Sequence, residues 1–298
     1  MEDYILYVGE DKDFSDRWLT KIVQKQAELP VVLLGPGKEN ARISHSPILV
    51  INRLYASAIY RHGKKNVMKV FRKLIALEKK DVPIINSSKG YLIELDRIKQ
   101  FAFFNKHHIP YIQISRVNSI LRRREPIAFP CVLKLNPSGR NRTLEIVTNK
   151  ESLRLMPSAS RKNNVLQSLI KKLICYRTEF VGDWCATYPQ HLCFQKNKLT
   201  FRKIYKIVPT PISELLKKKI IKSMKEIGVS AFSIEYFMRR NNLEGIVDFN
   251  LTSNYHPVFI KITHGHLEHA WQKLINLKET LWNSPKKRFF YRTSLTIA

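Results

Sequence analysis

Acidic residues are scarce in this chain. Asp and Glu number 24 against 52 Lys and Arg, a net charge of +28 over 298 residues. A surface of that sign attracts something anionic: nucleic acid, a nucleotide, an acidic peptide or an acidic membrane face. Glycine is thin too, at 10 residues with 14 prolines and no low-complexity tract. Collagen-like and linker-dominated chains are thereby excluded. The four cysteines, Cys131, Cys175, Cys185 and Cys193, form no C-x-x-C pair. That argues against a disulfide framework and zinc spacing, and for small buried hydrophobes in a reducing compartment. No apolar run approaches the roughly 18 residues of a spanning helix. The N-terminal stretch Met1–Phe14 sets acids on both sides of a short apolar run, unlike a signal or transit peptide. The expectation is a soluble, cytoplasmic protein with no membrane span.

What is present is ordinary globular material, 44% hydrophobic and 26% charged, so wholesale disorder is excluded. The length favours two domains over one. In the first third, strand-like runs at Tyr4–Val8, Val31–Leu34, Ile48–Ile51 and Val82–Ile85 alternate with helical spacing over Phe14–Leu29 and Tyr55–Leu77. Strands separated by helices predict a small parallel sheet with crossovers, ending near Ser88-Lys89-Gly90. A helix over Asp96–His108 is stopped by Ile109-Pro110, and Arg116–Phe129 is basic and turn-rich. Strand signals then crowd together at Cys131–Leu135, Leu144–Val147, Val165–Ile170, Cys175–Val181, Ala186–Tyr188 and Leu199–Val208. A helix over Ile212–Ile227, strands at Ala231–Met238 and Gly245–Asn250, and a last helix near His266–Leu281 complete an α+β texture with a mostly antiparallel sheet.

The most informative stretch is Ser230–Pro257. Two strand-like runs flank Arg239–Asn242, and Asn241-Asn242 suits a two-residue turn because Asn tolerates positive φ. That turn sets Glu235 opposite Asp248 and Ser233 opposite Asn250, with Asp248 and Asn250 on one face. Facing carboxylates repel unless a cation lies between them. Two carboxylates with an amide oxygen are hard ligands of the kind magnesium takes while it also holds phosphates. The competing reading makes Asp248 and Asn250 turn residues and Glu235 a solvated one. Lys134, inside the otherwise apolar run Phe129–Leu135, is costly to bury unpaired. It calls for a charged partner such as a nucleotide phosphate, or else reaches water from an edge strand. The polar loop Asn136–Arg142 after it could fold over phosphates.

In this order and separation the blocks resemble the ATP-grasp superfamily, nearest to its amide-forming branch: ribosomal-protein glutamate ligase, lysine-biosynthesis ligases and glutathione synthetase. The resemblance spans Asn86–Asn254 and, more weakly, the residues before it. It rests on Asp96-Arg97 with His108-Ile109-Pro110, Phe129–Lys134 with Gly139 and Glu145–Val147, Leu166–Ile170 with Cys175–Arg177 and Val181–Asp183, Phe201-Arg202, and Ser233–Tyr236 with Ile246–Asn250. It implies a fold of α/β plus α+β class. A small parallel-sheet N-terminal domain (1–90) would precede an ATP-grasp fold of two α+β subdomains (91–166 and 167–298). The resemblance also implies roles. Arg97, Lys134, Gly139 and Arg140 would contact phosphates, and Gln167, Ser168, Leu169 and Ile170 would form the hinge that reads adenine through backbone groups. Glu235, Asp248 and Asn250 would hold magnesium. Arg177 and Arg202 would be the catalytic cations, neutralising the transferred phosphate or the substrate carboxylate. The chain departs from the pattern at Ser168, at Cys175, in its glycine-poor phosphate loop, and at Arg97, where a planar fork replaces the point charge of the usual lysine.

The implied activity is ATP-dependent carboxylate–amine ligation, forming an amide or peptide-like bond through an acyl phosphate. ATP and Mg2+ (or Mn2+) would be cofactors, and the substrates an amino acid, peptide or protein, acidic ones included. The family also suggests a homo-oligomer. The alternative is a catalytically degenerate ATP-grasp scaffold whose basic surface binds nucleic acid or an acidic protein partner. The basic clusters Arg122–Arg124, Lys171-Lys172, Lys217–Lys219 and Lys286–Arg288 are dispersed, and no nucleic-acid-binding motif accompanies them. Two lesser candidates remain. Arg53 follows the third strand, where a loop would face the cleft and contact substrate. The run His264, His266 and His269 could ligate a metal, although helical geometry parts His264 from the other two.

Overall fold

Short apolar strands can bury both faces only if helices cover the sheet they form, and the first 85 residues do this. The computed structural model describes residues 2–283 except 40–42, 44, 123, 137–143, 159–160, 162–163, 172, 197 and 241. Strands β1 (Ile5–Val8), β2 (Val31–Leu34), β3 (Leu49–Asn52) and β4 (Ile84–Ile85) pair in parallel in the order β2-β1-β3-β4. Helix α1 (Phe14–Ala27) begins at Asp13, whose side chain accepts from the Ser15 and Asp16 amides. The single helix expected over Tyr55–Leu77 is two, α2 (Ala58–His62) and α3 (Lys64–Glu78). Gly63 at φ 77° separates them, a conformation glycine adopts without a Cβ penalty. A further helix, α4 (Ser88–Glu94), is capped by Ser87.

Helix α5 (Arg97–Lys106) starts at the cap Asp96. The first part of the basic stretch expected to be turn-rich continues β5 (Ile114–Arg116) into α6 (Val117–Leu121), because Val117 and Ile120 bury against Leu133 and Leu166, and the described residues from Arg122 to Phe129 are turn and loop as expected. Then come β6 (Cys131–Leu135), β7 (Leu144–Val147), α7 (Lys150–Arg154), β8 (Asn164–Ser168), β9 (Ile174–Val181), β10 (Trp184–Gln195) and β11 (Lys198–Lys203). Helix α8 (Glu214–Glu226), β12 (Ala231–Arg239), β13 (Asn242–Asn250), α9 (Pro257–Ile262) and α10 (His266–Asn283) follow. The later strands form one antiparallel sheet in the order β13-β12-β9-β10-β11-β7-β6-β8-β5.

This sheet curls until its ends meet. The segment leading into β5, at one edge, clips onto β13, at the other. The Ile112 amide donates to the Ile246 carbonyl at 2.8 Å, and the Ile246 amide donates to the Pro110 carbonyl at 2.9 Å. Gly245 permits the approach, since a Cβ there would lie 2.9 Å from the Ile112 nitrogen.

Residues of β9, β12 and β13 alternate between two surroundings. Tyr176, Phe180, Phe232, Ile234, Tyr236 and Phe249 join a core shared with β1 and α3. Two clasps add to that contact. The buried Asn86 side chain donates to the carbonyls of Ala231 and Leu251 and accepts from the amides of Ser230 and Ala231. Arg53 is 1% exposed. It donates to Asp16 at 2.8 Å and to the Ser253 carbonyl at 2.7 Å, with Tyr55 and Tyr255 against its guanidinium. Its sequence-based role as a substrate contact therefore gives way to a structural one. Among the described residues no helix is long and apolar enough to cross a membrane.

Candidate functional site

The hairpin β12–β13 places the acids. Arg239 pairs with Asn242, so Asn242 is already in the ladder and not the second residue of a turn as expected, while Asn241 lies outside the described residues. Two register shifts follow along β13, where Glu244 and Val247 are extra residues. Each bulge moves the pairing by one, and together they restore the expected partners: Glu235 faces Asp248 and Ser233 faces Asn250.

The neighbouring strand supplies the charge that two facing carboxylates need. Arg177 on β9 is in register with Glu235. Its Nη1 donates to Glu235 Oε1 at 2.7 Å, and its Nε donates to Glu179 Oε1 at 2.7 Å. Gln190 Nε2 reaches the same Glu235 oxygen at 3.3 Å. Burial pushes the Glu235 carboxyl up, but the charge and hydrogen bond of Arg177, with Lys203 and Gln190, hold it below the usual carboxylate range. Asp248 is met from the start of α5, where Arg97 Nη1 donates to its Oδ1 at 2.6 Å. Burial works against the Arg97 charge, and Asp248 together with Tyr111 and Glu235 more than offsets it, keeping the guanidinium pKa raised.

Arg97 is set by its own helix start. Asn136, just past β6, accepts from the Arg97 amide and donates to the cap Asp96. Arg97 Nε also donates to the Leu135 carbonyl. These contacts tie the start of α5 to the end of the strand that carries Lys134. The Lys134 ammonium is buried and donates to the Val247 carbonyl at 3.1 Å, one residue before Asp248. Burial, with Arg97 adding to it, lowers its pKa to about 8. Thus Arg97, Lys134, Arg177, Glu235 and Asp248 converge.

The remaining expected residues divide. Asn250 lies beside them in the β13 register, its Nδ2 buried and unpartnered. Gln167 is buried on β8 and donates to the Ile112 carbonyl, and the Ser168 amide donates to the Gln113 carbonyl. Leu169 and Ile170 follow half-buried, Ile170 against the apolar cluster of Ile112, Cys175, Phe237 and Val247. Arg202 stands apart: it is exposed and in register with His191. Its neighbour Lys203, paired with Gln190, is the β11 cation felt by Glu235. Gly139 and Arg140 lie outside the described residues, as do Lys286–Arg288. Of the histidines, His264 sits in a turn at φ 48° and His266 begins α10. Among the described residues no three or more His, Cys, Asp or Glu side chains are grouped to hold a metal.

Two acids and an amide can still serve a hard cation. Glu235 and Asp248 present carboxylates across one ladder, and the Asn250 amide is held there with its nitrogen unused. Those donors suit magnesium better than a softer metal. Sequence reasoning missed Glu179, Gln190 and Lys203. The signal for Glu179 was its spacing: two residues after Arg177 in a strand, it shares that residue's face.

No family model matches the chain, and no curated protein matches it in sequence. Solved structures do match its fold. The ATP-grasp ligase PsnB, complexed with a phosphomimetic variant of its minimal precursor, Mg and ADP, gives a TM-score of 0.67 at 13% identity, over 94% of this chain and 100% of that one. A RimK domain ATP-grasp protein from Sphaerobacter thermophilus gives 0.63 at 14% identity, over 91% and 98%. D-alanine–D-alanine ligase from Bacillus anthracis, complexed with ATP, gives 0.63 at 10% identity, over 95% and 98%.

Proposed function

We propose, from the ATP-grasp fold that this chain adopts, that it is an ATP-dependent ligase joining a carboxylate to an amine. The observation that carries the reading is the meeting of Arg97 and Lys134 with the Arg177–Glu235–Asp248 row. Cations able to hold phosphates lie beside hard-oxygen donors, where α5 and β6 meet β9, β12 and β13 of one curled sheet. Glu235, Asp248 and Asn250 would hold Mg2+, which when bound neutralises charge on the phosphate oxygens.

This chain's own residues do the rest. Lys134 and Arg97 hold the phosphates, Arg97 exchanging part of its bond to Asp248 for them. Arg177 and Lys203 steady the oxygens of the substrate carboxylate. Gln167–Ile170 border the base. In the overall reaction the carboxylate takes the γ-phosphoryl group, the amine displaces phosphate from the acyl phosphate, and an amide results. No side-chain nucleophile is needed. A peptide or protein substrate fits the precedent of PsnB, which was solved with a precursor peptide, and an acidic one fits the +28 charge.

Calorimetric titration with Mg–ADP, repeated on Glu235→Ala and Asp248→Ala, tests the nucleotide site. Binding that needs magnesium and is lost in both variants is expected. No binding at millimolar nucleotide would overturn the ligase and favour the basic binding scaffold. ADP release with candidate carboxylates and amines then tests turnover.

A further inference from the structure

One row of side chains next to the acids is left with polar atoms unused. Glu179, Ser233 and Asn250 are in register on adjacent strands, two residues along from the Arg177–Glu235–Asp248 row. Each carries a buried polar atom with no hydrogen-bond partner among the described residues: Glu179 Oε2, Ser233 Oγ and Asn250 Nδ2. Glu179 is 1% exposed and Ser233 0%. Three such atoms side by side are uncommon, because a buried carboxylate oxygen ordinarily finds a donor. The first oxygen of Glu179 does so, accepting from Arg177 and from the Tyr188 hydroxyl at 3.1 Å. One guanidinium thus serves two carboxylates, Glu179 and Glu235.

The walls are aromatic. Tyr188 packs against Tyr205 at 5.7 Å and against Phe259 at 5.2 Å, and Tyr255 stacks on Phe259. Burial pushes the Tyr205 and Tyr255 hydroxyls above the ordinary tyrosine value; Arg177 at the first and Arg53 at the second oppose the rise, and the Glu179 charge adds to it less strongly. A carboxylate oxygen awaiting a donor, a hydroxyl that can accept, and ring faces nearby favour a compact cation and disfavour an anion.

We infer that Glu179 and Ser233 form the subsite for the ammonium group of the amine substrate, with Asn250, whose spare Nδ2 is a donor, left to the magnesium set. The substrate role rests on the ligase reading above. Two residues of strand put this row about 7 Å from the acids, so the amine would wait one row away from the phosphates. Neither the resemblance nor the comparisons assign Glu179 a role.

The test is calorimetric titration of the full chain with n-butylammonium and, as a neutral match, n-butanol. Saturable binding of the cation alone is expected. Glu179→Gln should weaken it by about tenfold or more, the scale of a charged hydrogen bond, and Ser233→Ala by about threefold. Glu151→Gln, on the exposed face of α7, should leave it unchanged. If Glu179→Gln fails to fold because Arg177 loses a partner, Ser233→Ala carries the comparison. A cation that does not saturate, or that binds both variants as tightly as the wild type, overturns the subsite and leaves the row to bridging water. Mg–ADP titrated in parallel separates the two ideas. Nucleotide bound without butylammonium sinks the subsite alone. Butylammonium bound without nucleotide sinks the ligase and, with it, the substrate role.

Discussion

Lys134 sits where burial and charge conflict. Its ammonium titrates near 8 in the folded chain against 10.5 for a free lysine, with burial the leading cause. The unfolded chain therefore binds more protons between those values, so this residue makes stability rise with pH across that window. Below pH 8 the burial penalty is fully present. Lys134→Met should raise the melting temperature most at neutral pH, and its advantage should shrink toward about pH 10. Thermal unfolding over a pH series checks this. Phosphate brought to Lys134 would restore its charge. Mg–ADP binding near pH 8 should then take up protons, read as an enthalpy that varies with the buffer and is lost in Lys134→Met. The acids answer differently. Asp248→Asn leaves Arg97 without its carboxylate, and loss of one member of a buried pair costs about 3–5 kcal/mol. Nucleotide binding in that variant has to be compared with its melting curve.

At the scale of elements, the β12–β13 hairpin shows how far sequence carries. The pairing of Glu235 with Asp248 was legible from Asn241-Asn242 and strict alternation. Asn242 is itself already in the ladder, and two bulges correct the count. Turn residues announce where a chain reverses, whereas a bulge depends on what packs behind the strand, here the Pro110–Ile112 clip and the Val247 contacts. For the same reason Arg202 was legible as a cation and Lys203 was not, since strand facing follows from pairing. Helix α6 was hidden by the arginines that flank it, because its burial against β6 and β8 comes from residues distant in sequence. Gly245→Ala tests the clip. Its Cβ would meet Ile112 at 2.7 Å on the side chain and 2.9 Å on the backbone. A loss of about 1–3 kcal/mol is expected, with weaker Mg–ADP binding, measured by denaturant unfolding and calorimetry.

Across the whole molecule, the N-terminal sheet is held to the hairpin by polar clasps set in an apolar contact. Arg53 is the charged one of them, and it reaches the Ser253 carbonyl just beyond Asn250. Burial raises the Asp16 carboxyl, with the Arg53 charge opposing it, so removing Arg53 strands a buried acid. Arg53→Met should cost about 3–5 kcal/mol at neutral pH. Adding Asp16→Asn to it should recover part of the loss, in a cycle read by chemical denaturation. The net charge of +28 acts over the same scale. Self-repulsion is screened within about 8–10 Å at physiological ionic strength. The melting temperature should therefore climb between low salt and 0.15 M, and a flat response would show that repulsion is unimportant.

The two bulges give β13 slack that β12 lacks. Glu244 and Val247 face no residue of their own across the ladder. A gene losing the codon for Glu244 would straighten the ladder at that point and still deliver Asp248 opposite Glu235. A codon lost from β12 between Glu235 and Arg239 would demand a third bulge from its partner. Length changes tolerated through descent should therefore gather ahead of Asp248 and be missing after Glu235, a lopsided scar that alignments of this hairpin would display.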